Sequence, residues 1–174
     1  MKGQKPERII GIDPDVDKSG VAELHTPTGR LEATTLCFPD LMDYLQHIKA
    51  NFSDKGEKVL VIVEAGWMNA TNWHTGRVRS IAAAAKTGQN TGRNHEVARK
   101  IAEMSRHYGL ETKEVKPLRK CWKGADGKIT HAELESLLEA SGITPLTGRT
   151  NQEVRDALLL AVFHSGIPVR MRLK

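Results

Sequence analysis

"RIIGIDPDVDKSGVAEL" (residues 8–24) opens as a short apolar run, closes that run on Asp13, and sets Asp15 and Asp17 at alternating positions beyond it. The run reads as a buried strand ending in an acid. Its counterpart is "KVLVIVEAG" (58–66), the most apolar stretch of the chain. Its β-branched content and its charged and glycine borders predict a central strand that ends on Glu64. Two buried strands, each closing on a carboxylate, frame the reading of everything around them.

"GVAELHTP" (20–27) and "RLEATTLCF" (30–38) predict two further strands joined through Pro27, Thr28 and Gly29. Residues 40–52 change to a helical period, with Leu41, Leu45, Ile48 and Phe52 on one face and Asp40 as N-cap. Residues 67–93 hold Trp67, Trp73 and an alanine-rich segment, and read as a loop followed by a helical piece. From Asn94 onward Val97, Ile101, Met104 and Tyr108 mark a helix closed by Gly109. "LETKEVKP" (110–117) is a strand stopped by Pro117. "THAELESLLEASG" (130–142) is a helix with a Thr130–Glu133 capping box, ended by Gly142. "TNQEVRDALLLAVFHSG" (150–166) is a last amphipathic helix whose apolar face is Val154, Ala157, Leu158, Ala161 and Val162. The order predicts an α/β fold, a mixed five-stranded sheet flanked by helices, in a single domain over residues 1–174.

At 174 residues the chain suits one packed domain. No apolar run approaches the ~20 residues needed to cross a membrane, and "MKGQKPER" lacks the apolar core of a secretory signal. Cys37 and Cys121 form neither a CxxC pair nor a disulfide framework, which fits a reducing, cytoplasmic setting. The net charge of +5 is uneven: residues 77–128 carry 13 Lys or Arg against 5 Asp or Glu. Such a basic middle serves equally as a polyanion-binding face or as solvated helix surface.

The alternating aspartates raise the question of a calcium loop, which needs oxygen ligands at positions 1, 3, 5 and 12 and a glycine at 6. Counted from Asp13, position 6 is Lys18 and position 12 is Leu24, so turn and bidentate ligand are both missing. A second half-match, Asp126, Gly127, Ile129, Thr130 and Glu133, has Trp122 and Gly124 at positions 1 and 3. A glycine turn followed by a capping box accounts for it. The calcium reading fails at both places.

Four acids remain. Asp13 and Glu64 end buried strands, and Glu153 and Asp156 lie three apart, beside the apolar stripe of the last helix. An acid at the end of a buried strand costs desolvation unless it meets a cation or a hydrogen-bond network. Clustered carboxylates stay ionised when hard divalent cations hold them, and oxygen-only ligands favour Mg²⁺ or Mn²⁺ over zinc. Two such ions about 4 Å apart would suit phosphodiester hydrolysis. Taken singly, each acid also reads as a turn former, a strand terminator or surface charge.

Four segments, in order, carry a resemblance. "IIGIDPD" resembles the opening strand of the RuvC-type Holliday junction resolvases of the ribonuclease H-like superfamily. "VLVIVEAGW" resembles their second acidic strand, with an aromatic three residues past the Glu. "KTGQNTG" (86–92) resembles the Lys-x-Gly-Gln segment that opens their long middle helix, and "EVRDALLLAV" resembles their C-terminal helix with two acids three apart. The resemblance implies a homodimeric, Mg²⁺-dependent endodeoxyribonuclease of ribonuclease H-like fold that cuts four-way DNA junctions by paired nicks. By position, Asp13, Glu64, Glu153 and Asp156 match its metal ligands, and Trp67 matches an aromatic that stacks on an unpaired base.

Trp67 reads alternatively as a partly buried anchor, and Trp73 as core or dimer interface. The family also places lysines near the scissile phosphate. Lys120 and Lys128 are the candidates, with Lys116 and Lys123 as rivals; Lys86, Gln89 and Arg93 resemble phosphate contacts. Two positions depart from the pattern: Asp15 stands where the family usually has Gly, and Glu153 where it commonly has Asp. The competing readings are a related nuclease acting on structured RNA or other branched DNA, and a non-catalytic metal- or DNA-binding module.

Overall fold

The computed structural model describes residues 5–69 and 80–167. Strands β1 (Arg8–Asp13), β2 (Ser19–His25) and β3 (Arg30–Leu36) form an antiparallel meander. Helix α1 (Phe38–Asn51) leads to β4 (Val59–Glu64), which lies parallel to β1 on its other side. Helix α2 (Ile81–His107) leads to β5 (Glu111–Val115), parallel to β4, and α3 (His131–Ala140) and α4 (Gln152–His164) complete the order. The five-stranded sheet runs β3-β2-β1-β4-β5.

Strict alternation divides the two central strands between two cores. Ile10, Ile12, Val59, Val61 and Val63 point toward α1 and α2, where Leu41, Leu45, Ile48, Ile101 and Ala102 meet them. Ile9, Leu60 and Ile62 point the other way, toward Leu134, Leu137 and Leu138 of α3 and the apolar face of α4. Both faces of β1 and β4 are covered, which explains why these strands are continuous apolar runs rather than alternating ones. At the opposite end of β1 from Asp13, the guanidinium of Arg8 lies over the Phe52 ring, 3.6 Å from its centroid, and pairs with Glu23 and Glu57. The Tyr44 hydroxyl donates to Glu23 at 2.6 Å, so this buried charge is held in a network.

Helix α4 sits unusually close to the sheet because two glycines lie beneath it. A Cβ on Gly11 would stand 2.3 Å from the carbonyl oxygen of Ala157, and one on Gly20 would stand 2.0 Å from that of Glu153. No side chain fits either gap.

Two helix starts differ from the sequence expectation. Helix α1 begins at Phe38, ahead of the expected Asp40, because a proline in its first turn is preorganised for a helix start and Asp40 falls in that first turn. Helix α2 begins at Ile81 and runs unbroken through "KTGQNTG", so the expected helical piece and the helix expected from Asn94 are one element, capped by the Ser80 side chain, which accepts from the Ala83 amide. Its first part shows no apolar period because residues 81–93 are exposed except for the partly buried Thr87 and Thr91. Trp73 lies outside the described residues.

Gly20→Ala should therefore cost about 1–3 kcal/mol through overpacking, a fall of roughly 2–12 °C in melting temperature. Gly92→Ala, with nothing within 4 Å of an added Cβ, should be neutral or stabilising. Thermal melts of the two variants followed by circular dichroism check this contrast.

Candidate active site

The parallel register pairs Ile12 with Val63, so the next residues, Asp13 and Glu64, leave the sheet side by side. By the same alternation both carboxylates face α4. The N-terminal part of α4, capped by Asn151 accepting from the Val154 amide at 2.9 Å, carries Glu153 and Asp156 to the same place. The result is an open cleft of about 230 Å³ at the C-terminal ends of β1 and β4, lined by all four acids together with Lys120 and Lys128.

The lysines arrive on a tight reversal. The Trp122 amide donates to the Gly127 carbonyl and the Gly124 amide to the Lys128 carbonyl, both at 3.0 Å. Asp126 and Gly127 take positive φ (54° and 73°), folding the chain back so that Lys120 and Lys128 share one wall of the cleft. Lys116 and Lys123 are exposed and do not line it. This is the segment that half-matches a calcium loop. The Glu133 carboxylate accepts there from the Thr130 amide and hydroxyl and the Lys123 amide, as a helix cap rather than an ion ligand.

Burial, then repulsion from Glu64, Asp156 and Glu153, holds the Asp13 carboxyl well above its ordinary range, with Lys128 opposing. Glu64 is pushed up to about 7 by burial and by Asp156, against the pull of Lys120 and Lys128. Burial also raises Asp156, countered first by a hydrogen bond from Gln152 and then by Lys128, Lys120 and Arg155. Asp13, Glu64 and Asp156 are thus costly to ionise in the protein alone. Among the described residues no three His, Cys, Asp or Glu side chains form a ready-made metal cage. The donor set, all carboxylate oxygen and short of positive charge, nevertheless fits a hard divalent cation.

Several partners carry no signal in the sequence. Gln152 donates to Asp156 Oδ1 at 2.8 Å and accepts from Arg155 Nη2 at 2.9 Å. Arg155 is fixed in turn by the carbonyls of Ile129 and Thr150. Trp67 is partly buried, edge-on to His95 with centroids 5.9 Å apart, and the Arg99 guanidinium lies 4.8 Å from its ring centroid. Lys86, Gln89 and Arg93 are all exposed, and their spacing sets them along one side of the first half of α2.

Solved structures resemble this chain to different degrees. Thermus thermophilus RuvC in complex with Holliday junction substrate matches over 91% of this chain and 92% of its own, at 17% identity and a TM-score of 0.50. A further Thermus thermophilus RuvC structure matches over 91% and 93%, at 18% identity and a TM-score of 0.46. The large terminase nuclease of thermophilic phage G20c covers 90% and 81%, at 17% identity and a TM-score of 0.28. No family model and no curated protein matches the chain. At such identity the likeness is one of fold. The chain has the ribonuclease H-like fold, in the arrangement seen in RuvC.

Because the folded pKa of Glu64 lies above its ordinary 4.5, the proton it binds stabilises the fold below about pH 4.5, and that contribution is lost as pH rises through about 7. Without divalent cations, Glu64→Gln should therefore melt above the wild type at pH 8, by roughly 1–3 kcal/mol. The difference should nearly close by pH 5. Paired melts at the two pH values measure it, and a variant less stable than wild type at pH 8 would contradict the electrostatic account.

Proposed function

We propose that the protein is a divalent-cation-dependent endodeoxyribonuclease that resolves four-way DNA junctions by paired nicks. The observation that carries this reading is the convergence of Asp13, Glu64, Glu153 and Asp156 in one cleft walled by Lys120 and Lys128. The fold shared with a RuvC that was solved on a Holliday junction supports it.

In this reading the four carboxylates hold Mg²⁺, with Mn²⁺ as a substitute. Those ions supply Lewis-acid stabilisation of the charge that develops on the phosphodiester. Lys120 and Lys128 hold the scissile phosphate against the acids. Gln152 keeps Asp156 turned into the cleft, and Arg155 keeps Gln152 in place. Lys86, Gln89 and Arg93 bind backbone phosphates along the exposed half of α2, where cationic contacts give affinity without sequence preference. The open part of the Trp67 ring stacks on an unpaired base at the junction centre. Two symmetric nicks require two sites, so the active species is a homodimer with one cleft per subunit. Among the described residues no helix is long and apolar enough to cross a membrane, and Cys37 and Cys121 are free thiols. The setting proposed is the cytoplasm.

The test presents a synthetic four-way junction, a linear duplex and a structured RNA, first in Mg²⁺ and then in Ca²⁺. The junction alone should be cut, with paired nicks in Mg²⁺ and binding without cleavage in Ca²⁺. Asp13→Asn and Glu64→Gln should each abolish cutting while keeping junction binding. Equal cleavage of linear duplex would overturn the junction reading, and cleavage confined to RNA would replace it.

A further inference from the structure

Asp15, which departs from the family pattern in the turn after β1, lines the cleft beside the four candidate ligands. Its hydrogen bonds give it a different task. Oδ1 accepts from the Asp17 amide at 2.9 Å, closing an Asx turn immediately after β1. Oδ2 accepts from Nδ2 of Asn94 on α2 at 3.4 Å. The same Asn94 side chain accepts from the Val16 amide through Oδ1 at 3.2 Å. The orientation of this carboxamide follows from chemistry: an amide N–H can only donate and an ionised carboxylate can only accept. A second pair of contacts, Asp15 amide to Ser19 Oγ at 3.2 Å and Ser19 hydroxyl to Asp15 carbonyl at 3.4 Å, closes the other side of the turn. Both carboxylate oxygens of Asp15 are engaged in holding backbone and helix.

The turn is the link between Asp13, which ends β1, and Gly20, on which Glu153 rests. Asn94 stands where α2 leaves the body of the protein. Residues 81–93 on one side of it are largely exposed, while Ala98, Ile101 and Ala102 on the other side are buried. One carboxamide therefore ties the exposed half of α2 to the backbone that follows Asp13.

We propose that Asn94 and Asp15 form a clip that positions the ion-binding carboxylates, Asp15 acting as a hydrogen-bond acceptor rather than as a ligand. This rests on the reading of the cleft as a divalent-ion site. It predicts that the clip, and not the charge of Asp15, sets ion affinity.

Mn²⁺ binding measured by calorimetry on the full chain tests this without any nuclease step. Asn94→Ala and Asp15→Asn should each weaken Mn²⁺ binding about 10-fold, the lower end of what outer-shell partners of metal ligands contribute. Asp15→Asn places two amide donors face to face. The double variant Asp15→Asn/Asn94→Asp exchanges the partners and restores all three hydrogen bonds with the charge moved to the helix. It should recover binding to within about 3-fold of wild type, with melting temperatures confirming that every variant folds. Wild-type affinity in Asn94→Ala would overturn the proposal. So would a double variant as weak as Asp15→Asn alone, since that result makes the Asp15 charge itself the requirement. A wild type whose Mn²⁺ binding depends on the clip as predicted, yet which leaves junctions uncut, would overturn the proposed function and support the clip. A wild type that binds no Mn²⁺ would overturn both.

Discussion

The approach of α4 to the sheet, backbone against backbone, is the constraint on which the site depends. Gly11 and Gly20 leave no side chain between β1, β2 and the helix, so the carbonyls of Ala157 and Glu153 rest where a Cβ would otherwise stand. With side chains in place of these glycines, α4 would be pushed off the sheet, and Glu153 and Asp156 would stand farther from the strand ends that carry Asp13 and Glu64. The glycines are not needed here for an unusual backbone angle. They are needed for distance, and distance is what turns four separate acids into one electrostatic unit.

That unit runs against the stability of the fold around it. Three of the four carboxyls are pushed up by burial, and in Asp13 and Glu64 repulsion from their neighbours adds to it. The other end of β1 shows the opposite solution. There Arg8 is buried, but Glu23, Glu57, Tyr44 and Phe52 surround it with partners of matching charge and hydrogen bonding. One strand thus carries a paired buried charge at its start and an under-compensated one at its finish. Lys128 offsets the second only in part, which leaves room for a further cation.

Much of this was legible in the residues. Continuous apolar runs ending in Asp13 and Glu64 implied two buried strands, and parallel pairing in register was enough to set their acids together. The three-residue spacing of Glu153 and Asp156 implied one side of a helix. Other parts were not legible, for identifiable reasons. The first half of α2 has no apolar period because it covers nothing, and Gly88 and Gly92 argue locally against a helix. The separation of Lys120 and Lys128 from Lys116 and Lys123 depends on one reversal at Asp126–Gly127, whose exact fold-back no spacing encodes. Asn94, Gln152 and Arg155 are ordinary polar helix residues until their partners, distant in sequence or set by side-chain orientation, are known.

The exposed half of α2 has a further consequence. Thirteen residues of helix, about 20 Å at 1.5 Å per residue, stand on Ser80 at one end and Asn94 at the other with almost no burial between them. Two glycines there each disfavour the helix by about 1 kcal/mol relative to alanine. The segment is therefore a rod held by its own backbone hydrogen bonds and its two ends, with little help from packing. A polyanion following Lys86, Gln89 and Arg93 would tighten the rod as it binds. Through Asn94 that half of the helix is hydrogen-bonded to Asp15 and the Val16 amide, so the rod and the turn that follows Asp13 share one anchoring point.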